Sequence, residues 1–240
     1  MAYPERIVPD ETAPGILALH LKRYEFARPH CVDAQVLDAG CGVGYGSAYL
    51  AKVAARVVGV DVSEEAIEYA RHRYRSPNLE FVVGDLLALE LADASFDVVC
   101  SFETIEHVED VERYLAEISR VLRADGIFAV STPRVDATTR APENPFHRVE
   151  LSRDDFESAL RTRFEDVEIY GQRRLQTARH LLLQRVDVLG LRKRLPFLRR
   201  ASRLVGTAPM ADVTLDEIAI ERDAIERASE LVAVCRRPRT

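Results

Sequence analysis

Short apolar runs alternate along this chain with stretches whose apolar residues recur three and four positions apart. The runs are QVLDAG (35–40), RVVGVD (56–61), LEFVVGD (79–85), FDVVCSF (96–102) and IFAVSTP (127–133). Between them, GSAYLAKVA, SEEAIEYARHRY (63–74) and VERYLAEISRVL (111–122) have helical spacing. Ser63 is placed to cap the second helix, and Asp125-Gly126 reads as a turn that ends the third. Strands alternating with helices predict βαβ units and a parallel sheet. The strands are almost continuously apolar, as a sheet covered by helices on both faces requires. Further on, SRDDFESALRTRF (152–164) reads as a helix capped by Ser152, and VEIYGQ (167–172) and ASELVAVCRR (228–237) as strands. Residues 1–34 are polar and turn-rich, with helical spacing from Ile16 to Ala27.

One stretch breaks this rhythm. Residues 173–203 hold ten arginines and lysines against one acid, Asp187, interleaved with leucines. They read as one or two basic amphipathic helices inserted between the last two strands. Such a segment serves as a solvated face or homodimer contact, as a receiver for an anionic acceptor, or as an interfacial helix on anionic lipid. The chain of 240 residues nevertheless carries a net charge of −6, which excludes a general binder of DNA. No RNA-binding module is recognisable. Its 47% hydrophobic and 30% charged residues describe one ordinary globular domain. The start of the sequence lacks a secretory pattern, no apolar run reaches the roughly 20 residues of a membrane span, and four scattered cysteines suggest free thiols; a cytoplasmic protein is expected.

DAGCGVGYG follows the first strand and opens a helix, so its backbone N–H groups and glycines can approach a ligand closely. Asp61, about 20 residues on, ends the second strand, where a carboxylate can take both hydroxyls of a ribose. A dinucleotide fingerprint fits poorly, because the sixth place counted from Gly40 is Tyr45. Asp38 beside the loop would repel a pyrophosphate but suits an ammonium group, and Asp85 ends the third strand. Three acids at three strand ends describe a cationic nucleoside ligand without phosphate.

VLDAGCGVGYGS, VVGVDVS, VVGDLLAL, FDVVCSFETIEHV and LAEISRVLRADGIFAVSTP together resemble the successive motifs of class I S-adenosylmethionine (SAM) dependent methyltransferases. The resemblance implies an α/β, Rossmann-like sheet of seven strands with an antiparallel last strand. Here it would form a single domain over 1–240, with an N-terminal lid (1–34) and a basic helical insert (173–227) between the last two strands. It implies that Asp38, Gly40 and Gly42 hold the methionine end of SAM, Asp61 the ribose with Val62 against the adenine, and Asp85 and Leu86 the adenine edge. Phe102 would line the pocket. Separately, HLKRYEFA (20–27) reads either as part of a lid over the cofactor, with His20, Arg23 and Tyr24 as candidates for facing it, or as an amphipathic packing helix.

Methyl transfer to a hydroxyl also needs a proton acceptor or a Lewis acid. ETIEH supplies Glu103, Glu106 and His107, which share one face if the segment is helical. ExxEH resembles the metal motif of O-methyltransferases of the ubiquinone pathway and of small-RNA 2′-O-methyltransferases, where a later histidine completes the site. His147 in NPFHRVE stands in that order. This implies Mg2+ held by Glu103, Glu106, His107 and His147. The alternatives are a metal-free general base, His107 or His147, and purely structural roles. ERIVPDET, HLKRYEFA, STP and NPFH resemble methyltransferases of bacterial polysaccharide and glycan pathways, which implies a sugar hydroxyl as acceptor. A phenol or quinone-type acceptor, and a SAM-binding regulatory module without turnover, are the competing readings.

Overall fold

A computed structural model describes residues 6–175 and 213–239. Helix α1 (Pro14–Ala27) precedes strand β1 (Gln35–Ala39), α2 (Tyr45–Leu50), β2 (Arg56–Asp61), α3 (Glu64–Arg73), β3 (Leu79–Val83) and β4 (Phe96–Phe102). Then come α4 (Val111–Val121), β5 (Leu122–Pro133), α5 (Arg153–Arg161), β6 (Phe164–Arg174), β7 (Ile218–Glu221) and β8 (Glu230–Pro238). One sheet of eight strands runs in the order β3-β2-β1-β4-β5-β8-β6-β7. β3 through β5 pair in parallel, and β8 is antiparallel to both its neighbours, β5 and β6.

Period-two alternation sends successive strand residues to opposite faces. Leu37, Val99 and Phe128 join one core with Tyr114 and Ile118 of α4 and Phe156 of α5. Val36, Val98 and Ala129 join the other with Tyr24 and Ala27 of α1 and Leu50 of α2. Both faces are therefore buried, which is why the strands read as unbroken apolar runs. The helix starts are fixed by the expected caps: Ala66 N–H donates to Ser63 Oγ (3.3 Å) and Asp155 N–H to Ser152 Oγ (3.3 Å). All four cysteines are buried free thiols, and no helix among the described residues is long and apolar enough to cross a membrane.

Three expectations change. The sheet has eight strands rather than seven: β7, four residues long, pairs antiparallel with the end of β6, from Gly171↔Glu221 to Arg174↔Ile218. It lies within 173–227, so the described part of that stretch adds a strand and short 3-10 turns rather than an α-helix. Asp125-Gly126 does not separate α4 from a strand beginning at 127. β5 starts at Leu122, and two steps along β4 (Phe96 to Val98) face five along β5 (Leu122 to Ile127), so the turn residues form a bulge inside the strand. The basic segment between 176 and 212 lies outside the described residues.

Candidate active site

The carboxyl ends of the parallel strands open into one cavity of about 820 Å³. This is where ligands bind in open α/β sheets. At its β2–β3 end, Asp61 anchors the glycine loop: Oδ2 accepts from Gly42 N–H and Oδ1 from Ser63 N–H, both 2.9 Å. Gly42 has φ +54°, and a Cβ built there would meet nothing within 4 Å, so its backbone faces open cavity. Val62 beside it is 75% exposed, an apolar shelf with no protein covering it. Asp85, which accepts from Leu87 N–H at 2.8 Å, and Leu86 line the same end. Gly40 and Phe102 continue the wall, and Tyr24 of α1 closes over it, edge-on to Phe102 (5.0 Å) and Tyr45 (5.9 Å).

Asp38 is placed differently from the expectation. It is fully buried and does not line the cavity. Ser47 Oγ donates to its Oδ2 (2.6 Å) and the Tyr24 hydroxyl to its Oδ1 (3.1 Å). These hydroxyls cap the carboxylate from above, so it props the lid helix on the glycine loop instead of facing a ligand. Burial pushes its carboxyl up to about 6, with the Ser47 and Tyr24 hydroxyls opposing part of the rise. An unfolded aspartate titrates near ~3.9. Between those values the folded chain binds more protons than the unfolded one, so this group's contribution makes stability fall as pH rises. Two pH units correspond to about 3 kcal/mol. Asp38→Asn cannot ionise, so the stability of wild type minus variant is expected to drop by about that amount between pH 4 and pH 7 in urea melts. A pH-independent difference would contradict the burial argument.

At the other end stand Glu106, His107 and His147, whose candidate ligand atoms all lie within 4.8 Å of one another. Glu106 is 1% exposed, and burial, reinforced by Glu103, raises its carboxyl well above the usual range. His107 Nδ1–H donates to the Phe146 carbonyl (3.0 Å), and His147 Nδ1–H to Glu150 (2.7 Å). Partners of this kind fix a histidine tautomer with Nε2 as the electron-pair donor. At His147 that lone pair takes a hydrogen bond from Asn144 Nδ2 (3.0 Å), which a cation would replace.

Glu103 does not join this cluster. ETIEH is not one helical face: Glu103 sits at φ +52°, and only Ile105–His107 form a short 3-10 turn. Its Oε1 accepts from Ser131 Oγ (2.6 Å) and lies 3.6 Å from Arg23 Nη1. Arg23 is fully buried; burial works against its charge, and Glu103 and Glu230 more than reverse that. Arg23 Nη2 also donates to His20 Nδ1 (3.0 Å), and burial, then Arg23, holds His20 well below its usual range. Ser47, Ser131 and Glu230 gave no sequence signal, because each reaches the site only through tertiary contact.

Residues 37–130 match the family described as methyltransferase domain. The sheet has the fold found in solved methyltransferase structures. The chain is 40% identical over 172 residues to a probable SAM-dependent methyltransferase of Mycobacterium tuberculosis, across 70% of this chain and 62% of that one. This chain thus spans about three-fifths of the length of that relative. A fatty-acid O-methyltransferase of Mycolicibacterium smegmatis is 35% identical over 123 residues, across 48% of this chain and 45% of that one. In the crystal structure of a SAM-dependent methyltransferase from Mesorhizobium loti the same fold recurs, with a TM-score of 0.57 at 19% identity over 95% of this chain and 99% of the other.

Proposed function

We propose that this chain transfers a methyl group from SAM to a hydroxyl of a sugar or glycan acceptor, aided by a divalent cation. The observation that carries the reading is that one cavity joins Asp61, Val62 and Asp85 to Glu106, His107 and His147. SAM supplies a methyl activated on a sulfonium. The chain supplies the rest: Asp61 holds the ribose hydroxyls, Val62 and Leu86 receive the adenine, and Tyr24 shuts out water. The acceptor end is lined by Glu106, Glu109, Asn144 and His147, together with Val108 and Pro133. Its polar groups offer hydrogen-bond partners to an acceptor with several hydroxyls.

One carboxylate and two imidazoles form a softer donor set than Mg2+ prefers. They fit Mn2+, Fe2+, Co2+ or Zn2+ better, with Glu106, His107 and His147 as the holders. The second reading needs no metal: Glu150 orients His147 as a carboxylate orients a general-base histidine. An isotope-labelled SAM assay on oligosaccharide, phenol and fatty-acid panels separates the acceptors. Repeating it after EDTA treatment, with each cation restored in turn, separates the chemistries. Methylation of the sugar panel that vanishes in EDTA and returns with Mn2+ or Zn2+ supports the proposal; full activity in EDTA selects the general base. In either case His147→Ala is expected to lower kcat by roughly 100-fold or more, while binding of S-adenosylhomocysteine stays within about threefold (about 0.7 kcal/mol).

A further inference from the structure

The proposed function leaves one requirement unassigned. SAM ends in an amino acid whose ammonium is positive, and the residue expected to meet it, Asp38, is sealed beneath Tyr24 and Ser47. The sheet order indicates where that end must fall. A nucleoside on Asp61 and Asp85 lies over β2 and β3, so its tail runs across β1 toward β4. Strands are about 4.8 Å apart, so two steps from β2 reach β4 at roughly 10 Å. At that place stands Glu103, directly after Phe102.

Four observations set Glu103 apart. It lines the cavity. Its chain neighbour Thr104 packs on the glycine loop, where a Cβ at Gly40 would lie 2.4 Å from the Thr104 hydroxyl. It holds a left-handed φ of +52°, a conformation costly for a glutamate and characteristic of functional positions. Finally, Ser131 and Arg23 both engage Oε1 and hold the carboxylate in place, while Oε2 makes no hydrogen bond among the described residues. Arg23 is shared with Glu230, 4.0 Å away, so one guanidinium faces two carboxylates and leaves room for a second cation.

We infer that Glu103, rather than Asp38, is the carboxylate that binds the donor's terminal ammonium, and that it is not a metal ligand. This rests on the SAM reading above. The test compares S-adenosylhomocysteine with 5′-methylthioadenosine, which keeps the nucleoside thioether and lacks the amino-acid tail. Calorimetric Kd values are measured for the full chain, Glu103→Gln, Glu103→Asp and Asp38→Asn. Glu103→Gln is expected to shrink the preference for S-adenosylhomocysteine about tenfold, the loss of one charged contact (about 1.4 kcal/mol), with 5′-methylthioadenosine affinity unchanged within about twofold. Retained 5′-methylthioadenosine binding also reports an intact fold; if Glu103→Gln fails to fold, Glu103→Asp carries the test with a smaller loss of the same sign. Asp38→Asn keeps the preference. An unchanged ratio in Glu103→Gln, a collapsed ratio in Asp38→Asn, or loss of bound Mn2+ by Glu103→Gln with the ratio kept, each overturns the inference. Binding of neither ligand by the wild type instead refutes the SAM reading itself.

Discussion

Asp61→Ala is expected to weaken S-adenosylhomocysteine binding by about 100-fold. The side chain has two tasks. Its oxygens hold the Gly42 and Ser63 N–H groups at 2.9 Å, which sets the shape of the glycine loop. It also faces the place where a ribose would present two hydroxyls. A hydrogen bond to a charged group is worth about 1.5–3 kcal/mol, and its loss leaves donors unsatisfied. Water can replace part of this in an open cavity, so about 3 kcal/mol, or roughly 100-fold, is the expected net loss. Asp61→Asn keeps one acceptor and should lose about tenfold, near 1.4 kcal/mol. Calorimetric titration checks both, and a change below threefold in Asp61→Ala would show that the nucleoside binds elsewhere.

Gly46→Ala is expected to destabilise the chain by about 3 kcal/mol, the upper range for overpacking a filled site. Propensity alone predicts the opposite sign, since alanine in a helix gains about 1 kcal/mol over glycine. Packing decides, because the new Cβ would lie 1.9 Å from Tyr24 Cζ. The ring cannot retreat without breaking its edge contact with Phe102 and its hydrogen bond to Asp38. For a chain of this size the melting temperature should fall by roughly 6–12 °C. A double-mutant cycle isolates the cause: in a Tyr24→Ala background, Gly46→Ala should be neutral or mildly stabilising. An equal penalty in both backgrounds would place the strain somewhere other than the lid.

Much of the fold was legible because apolar runs bounded by polar residues have definite ends. RVVGVD and FDVVCSF occupy β2 and β4 residue for residue. β7 was not legible, since four residues carry too little periodicity and its partner, the end of β6, lies more than 40 positions away. The start of β5 was misread because Asp125-Gly126 has turn chemistry that a bulge uses equally well. In the site, Gly40, Gly42, Asp61, Val62, Asp85, Leu86, Phe102 and Tyr24 all line the cavity. The two departures, Asp38 and Glu103, share one physical origin. Each carboxylate found a partner from elsewhere in the chain, Tyr24 and Ser47 for one and Arg23 and Ser131 for the other. Spacing shows which strand end an acid occupies. It does not show which oxygens tertiary hydrogen bonds have already taken.

We propose that the cavity at the carboxyl ends of β1, β2 and β4 is a SAM site continuous with the Glu106–His107–His147 cluster. A crystal structure of the chain soaked with S-adenosylhomocysteine and Mn2+, with anomalous data, tests it most directly. The ribose is expected on Asp61, the adenine between Val62 and Leu86, the amino group at Glu103, and one anomalous peak among Glu106, His107 and His147. Nucleoside density away from Asp61, or a metal peak outside that cluster, would contradict it.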